Sequence, residues 1–182
     1  MLLAIAYAPR PMRAKLSWLL LLDRRLSSIL ERTSEPMIAQ LRLSWWRDAL
    51  ISDADKRPKG EPLLAALKEI VPDEAVIYAG LKLVNAYEVL ATGSEPQEQD
   101  AARVQRISAI CSAYANWIGD VGVTQQHITC ITDWWANPDR RPPKPLPRLL
   151  RPLSILALAE QLGGSQQRIS PLRLNWHALT GR

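Results

Sequence analysis

Phenylalanine is absent from this 182-residue chain, and cysteine and histidine occur only twice each. Cys111 and Cys130 are too few for a disulfide framework and suit a reducing compartment. Zinc takes four ligands at recognisable spacing. The one close pair available, His127 with Cys130, reads as part of an ordinary amphipathic helix, and His177 and Cys111 are remote from it in sequence. No glycine-flanked serine points to a nucleophilic triad, and the glycines form no phosphate-binding loop. Long hydrophobic runs are missing too. The longest apolar-rich stretch, residues 16–22, falls far short of the roughly 20 residues that a bilayer-spanning helix needs. The opening MLLAIAYAPR has no positive region ahead of its apolar run, and Pro9 and Arg10 end that run early for a signal peptide. The chain is therefore expected in the cytoplasm, either soluble or peripheral to the inner membrane.

What is present is an ordinary globular composition, 47% hydrophobic and 23% charged, at a length that fits one domain with its own core. Seven tryptophans supply the aromatic bulk, and the 14 prolines sit mostly outside the periodic segments. The net charge of +5 favours anionic partners such as diphosphates or acidic lipid. Nucleic acid is not expected, since no recognition motif or basic recognition helix is visible. Residues 137–148 read as a proline-rich loop, made basic by Arg140, Arg141, Lys144 and Arg148 with the adjacent Arg151, and its simplest reading is a solvated surface.

The periodicity predicts helices throughout and no strand of any length. Residues 1–13 read as an extended lead-in because of Pro9 and Pro11. A helix follows over 14–32, with Leu16, Leu19, Leu22, Leu26, Ile29 and Leu30 on one stripe. Thr33 or Ser34 is expected to cap a second helix running to about residue 52. Its core face is expected to hold Met37, Ile38, Leu41, Trp45 and Ala49. Further helices are expected over about 62–71, 73–91 and 97–118, then a shorter one ending in ITDWWANPD and another over 149–162. The tail SPLRLNWHALTGR can add one more. No repeat is visible, and the short connections imply an antiparallel, all-α, single-domain helical bundle over residues 1–182.

Paired acids on one helix face can hold Mg²⁺ against a diphosphate. Glu31 and Glu35 have the spacing but straddle a helix boundary, Glu69 and Asp73 are interrupted by Pro72, and Glu95 and Glu98 sit at a helix start where acids favour the macrodipole. No clean intrahelical pair of aspartates remains.

Several motifs are nevertheless distinctive: Tyr7-Ala8-Pro9, then Arg13, then an apolar helix, then EPMIAQLRLSWWRDAL, and late in the chain LRPLSILALAEQLGG and SPLRLNWHALTGR. In these the chain resembles the squalene/phytoene synthase family, in particular its short alphaproteobacterial branch and the related mitochondrial complex I assembly factors. The resemblance is strongest over about the first fifty residues. It implies a reduced isoprenoid synthase fold and, for working enzymes, prenyltransferase chemistry of isoprenoid biosynthesis. Those enzymes carry an arginine followed by a DxxxD pair that binds Mg²⁺ and prenyl diphosphate. Carried over, the arginine falls on Arg24 and the two aspartates on Ser27 and Glu31. The family's second aspartate motif would fall within residues 101–118, where RISAICSAYANWIG offers no acid. Serine is a poor ligand for a hard cation beside a carboxylate.

The leading reading is therefore a pseudoenzyme without catalytic or metal residues and without a cofactor. It would be a helical assembly or interaction protein that keeps Arg24, Ser27 and Glu31 as binding positions for a prenyl diphosphate or lipid. Trp45–Trp46 and Trp134–Trp135 are its candidate contacts with a protein partner, with at least one tryptophan of each pair expected in the core. The alternative is a reduced head-to-head prenyltransferase acting on farnesyl or geranylgeranyl diphosphate, with Glu31 and Asp23 as Mg²⁺ ligands. A third reading overlaps the first: a peripheral membrane protein held to acidic lipid by the basic loop and aromatic residues.

Overall fold

The computed structural model describes residues 2–70, 74–120, 122–137, 139–140, 143 and 146–164. Among these, eight α-helices and one 3-10 turn occur and no strand. In chain order they are α1 (Leu2–Tyr7), α2 (Arg10–Arg32), α3 (Pro36–Ile51), α4 (Pro62–Ile70), α5 (Glu74–Thr92), α6 (Pro96–Ile118), α7 (Gln125–Ala136), the 3-10 turn Arg148–Leu150 and α8 (Arg151–Gly164). The all-α expectation holds. The C-terminal segment SPLRLNWHALTGR lies outside the described residues.

Contacts of the described residues gather in two compact units, one within residues 17–113 and one formed by the described residues up to Leu16 and from Tyr114 to Gly164. In the first, α2, α4, α5 and α6 supply Leu19, Leu22, Leu26, Leu64, Leu67, Leu83, Val84 and Ile110 to the core. Gly80 marks a close approach of helices. A Cβ there would stand 3.0 Å from Trp18 Cη2, 3.2 Å from Leu22 Cδ2 and 3.2 Å from Leu50 Cδ1, so three helices meet where the side chain is missing. Trp18 is buried and its indole N–H donates to the Leu63 carbonyl at 2.9 Å, which satisfies the one polar atom of that ring. Arg47 pairs with Glu88 and ties α3 to α5.

Helix α3 departs from expectation. Its buried face is Ala39, Leu43, Trp46, Ala49 and Leu50. Met37 is 72% exposed, Leu41 67% and Trp45 41%, and Ile38 is exposed as well. Of the expected core face only Ala49 is buried. Both stripes are apolar at three- and four-residue steps, so periodicity alone does not choose between them. Packing against α5 does. Nor is the helix capped by Thr33 or Ser34. Glu35 occupies the N-cap without a side-chain hydrogen bond, and Pro36 takes the first helical position, where its missing N–H costs nothing.

The second unit also corrects the lead-in. Residues 2–7 are helical rather than extended, and α2 begins at Arg10, because proline in a first turn is tolerated. Arg13 explains the break. Its Nε donates to the Ala8 carbonyl at 2.9 Å and its Nη2 to the Ala6 carbonyl at 2.8 Å, satisfying carbonyls orphaned at the end of α1. The Tyr7-Ala8-Pro9…Arg13 signature is thus a local folding device. Farther along, α7 packs on α8, with Trp135 donating to Glu160 at 3.2 Å and Gln161 to the Trp134 carbonyl at 2.7 Å. Trp134 and Trp135 are both buried, so this pair offers no exposed contact. Thr124 and His127 form a reciprocal capping box at the start of α7, which occupies the His127 ring in structure.

Candidate functional site

The candidate positions Arg24, Ser27 and Glu31 recur at three- and four-residue steps and so share one face of α2. Arg24 and Glu31 are exposed and Ser27 is half-buried. The Ser27 hydroxyl donates to Glu31 Oε1 at 2.8 Å. This bond uses one lone pair of the Glu31 carboxylate.

Asp23 is organised differently. It is buried, 8% exposed, and accepts three hydrogen bonds. Arg106 Nε lies 2.7 Å from Oδ1 and Arg106 Nη2 lies 2.8 Å from Oδ2, the two-pronged geometry in which a guanidinium matches a carboxylate. Tyr87 donates its hydroxyl to Oδ1 at 2.9 Å. Burial, and then the neighbouring negative charge of Asp23, push the Tyr87 phenol well above its ordinary pKa, so Tyr87 stays a donor. The Asp23 carboxylate is thus enclosed by α2, α5 and α6.

This arrangement tests whether Mg²⁺ suits the residues present. Asp23 and Glu31 are eight residues apart on one helix, a rise of roughly 12 Å, far more than one ion can bridge. Their separation is more than two turns, not the single turn that a shared site requires. Asp23 is also engaged by a cation already. Among the described residues no group of three His, Cys, Asp or Glu side chains could hold a metal ion. The residues do not fit the ion.

A neighbouring face of α2 is shaped differently. Arg25, Ser28, Ile29 and Arg32 line an open groove of about 480 Å³ together with Ile38, Leu41, Arg42 and Trp45 of α3, over Trp46 and beside Glu61. Arg24, Ser27 and Glu31 do not line this groove. At 3.6 residues per turn their face points roughly a third of a turn away. Glu61 pairs with Arg25 at 3.2 Å, and Arg42 donates to Thr33 Oγ1 at 3.2 Å. Sequence reasoning missed Arg32 and Arg42. The signal was available: Arg25, Ser28, Ile29, Arg32 and Ile38, Leu41, Arg42, Trp45 each follow i, i+3, i+4, i+7, a single face per helix. Arg106 was missed for lack of any signal, because it lies 83 residues from its partner.

The model of the squalene/phytoene synthase family matches residues 1–106, more than half of the chain. The chain belongs to that family. The match covers α1 to α5 and the first half of α6, and so includes both Asp23 and Arg106. No curated protein and no solved structure gives a significant match. The all-helical architecture of the described residues agrees with the isoprenoid-synthase-like fold that family membership implies. None of the described helices is long and apolar enough to cross a membrane.

Proposed function

We propose that this squalene/phytoene-synthase-like protein does not catalyse prenyl transfer and acts by binding, as an assembly or interaction protein that retains affinity for a prenyl diphosphate or lipid. The observation that carries this reading is the engagement of Asp23 by Arg106 and Tyr87. Ionising a prenyl diphosphate needs Mg²⁺ to neutralise the leaving group, and one exposed carboxylate backed by a serine does not hold that ion firmly. Arg24 makes no ion pair among the described residues, which leaves its guanidinium available to a phosphate. A protein partner is the other class of ligand, and Trp45 is the member of its pair that remains available to one.

The test is pyrophosphate release from farnesyl or geranylgeranyl diphosphate with Mg²⁺ and the purified chain. The expected result is none above the protein-free rate. Steady release that Glu31→Ala abolishes would establish the alternative, a reduced head-to-head prenyltransferase.

A further inference from the structure

The α2–α3 groove combines two chemistries that an ordinary protein surface keeps apart. Its basic side is Arg25, Arg32 and Arg42, and its apolar side is Ile29, Ile38, Leu41 and Trp45. Among the described residues Glu61 is the one acid in the lining, and it is paired with Arg25. Arg32 and Arg42 pair with no carboxylate among the described residues, so the groove keeps a positive surplus next to a hydrocarbon wall. That wall does not stop at the rim. Leu41 also lines a second groove, of about 410 Å³, with Met37 and Val89 beside the polar Gln40, Ser44, Thr92 and the Arg47–Glu88 pair, and Met37 and Leu41, one turn apart on α3, form an exposed apolar ridge.

We infer that this face docks on a bilayer surface containing anionic phospholipid, with a headgroup phosphate on Arg32 and Arg42 and the upper acyl chain against Ile29, Ile38, Leu41 and Trp45. Charge complementarity selects the phosphate, since a guanidinium binds it through paired, charge-assisted hydrogen bonds. The ridge selects the bilayer over a single soluble amphiphile, because one chain lying in the groove leaves Met37 and the outer side of Leu41 in water. An exposed apolar patch rimmed by arginines is the pattern of an interfacial element. Half-exposed Trp45 suits the boundary, where one edge of an indole is apolar and the other wet. Arginine stems can lie along the hydrocarbon while their heads stay at the phosphates. None of the described lining residues of this groove falls within residues 137–151 or is Arg24, Ser27 or Glu31. Docking at this face rests on the reading that the chain acts by binding, but not on the absence of catalysis.

The experiment is co-sedimentation of the full chain with vesicles of phosphatidylcholine alone and of phosphatidylcholine containing phosphatidylglycerol. Neither diphosphate nor Mg²⁺ is present, so the outcome is independent of pyrophosphate release. Binding is expected only to the anionic vesicles. Each basic residue near such a surface contributes roughly a fivefold gain in partitioning, so Arg32→Gln with Arg42→Gln should weaken binding on the order of 20-fold. Leu41→Asp, at an exposed position that folding tolerates, should weaken it as well. Lys56→Gln with Arg103→Gln removes the same charge from exposed positions elsewhere and should leave binding within about twofold. Equal loss in both double variants would overturn the site in favour of net charge. Thermal stabilisation by soluble dihexanoylphosphatidic acid without vesicle binding would overturn the bilayer in favour of a free amphiphile. Concentration-dependent dimers that Leu41→Asp abolishes, again without vesicle binding, would assign the face to a second copy.

Discussion

Asp23 and Glu31 sit on one helix and differ in almost everything else. Asp23 is enclosed, held by both nitrogens of an arginine fork and by a phenol that burial keeps protonated. Glu31 is exposed, and its hydrogen bond comes from a serine one turn away on the same helix. The first acid joins three helices, and the bond of the second stays within α2. The same division recurs on α3, where adjacent tryptophans meet edge to face at 5.3 Å with only Trp46 buried. In both places residue type says little about role, and the direction of the side chain decides it. Asp23 is turned into the bundle and held there, and Trp45 is turned out of it and left at the surface.

The contrast on α3 is expected to give the largest effect. Trp46→Ala empties a buried site and should cost about 3–5 kcal/mol in urea unfolding. Trp45→Ala should cost less than about 1 kcal/mol, because that ring is part-solvated already. Equal losses would erase the distinction between the two faces.

On the Asp23 side, Arg106→Met leaves a buried carboxylate without its counter-charge and with the Tyr87 hydroxyl as its hydrogen-bond donor. A loss of about 3 kcal/mol is expected, at the low end for a buried pair because the pair keeps slight solvent access. Tyr87→Phe should cost about 1 kcal/mol, one hydrogen bond to a group that keeps its main partner.

The tyrosines add a pH signature. Burial raises the phenols of both Tyr87 and Tyr114 in the folded state, so the folded chain holds those protons more tightly than the unfolded one. Their contribution is fully present below the unfolded value of about 10 and is lost as the pH rises above it. Stability should therefore fall above roughly pH 10, and the fall should be shallower in Tyr87→Phe. An unchanged slope would place Tyr87 in solvent. The smallest effect belongs to Glu31→Ala, expected within about 0.5 kcal/mol of the parent.

Much of this was legible in the sequence, and the rest was not for identifiable reasons. The helices and most of their limits follow from periodicity and from breakers such as Gly119, whose φ of +60° accommodates the turn after α6. The family follows from the opening motif. The buried face of α3 does not, because Met37, Leu41 and Trp45 compete with Leu43, Trp46 and Leu50 on equal terms until α5 is in place. The enclosure of Asp23 could not be read either. Arg106 and Tyr87 are distant in the chain, and only the fold brings them together. The groove was half visible, since each helix carries its own i, i+3, i+4, i+7 face, but nothing local says that the two faces meet.

The most direct measurement is the stability of Asp23→Asn, followed by urea unfolding with and without Mg²⁺. If Asp23 is a structural acid, neutralising it removes the negative charge that Arg106 Nε and Nη2 hold, lowers stability by about 2–3 kcal/mol and leaves Mg²⁺ without effect on either protein. A variant as stable as the parent or more so, together with Mg²⁺ stabilisation of the parent that the substitution removes, would contradict the account and return Asp23 to the metal site.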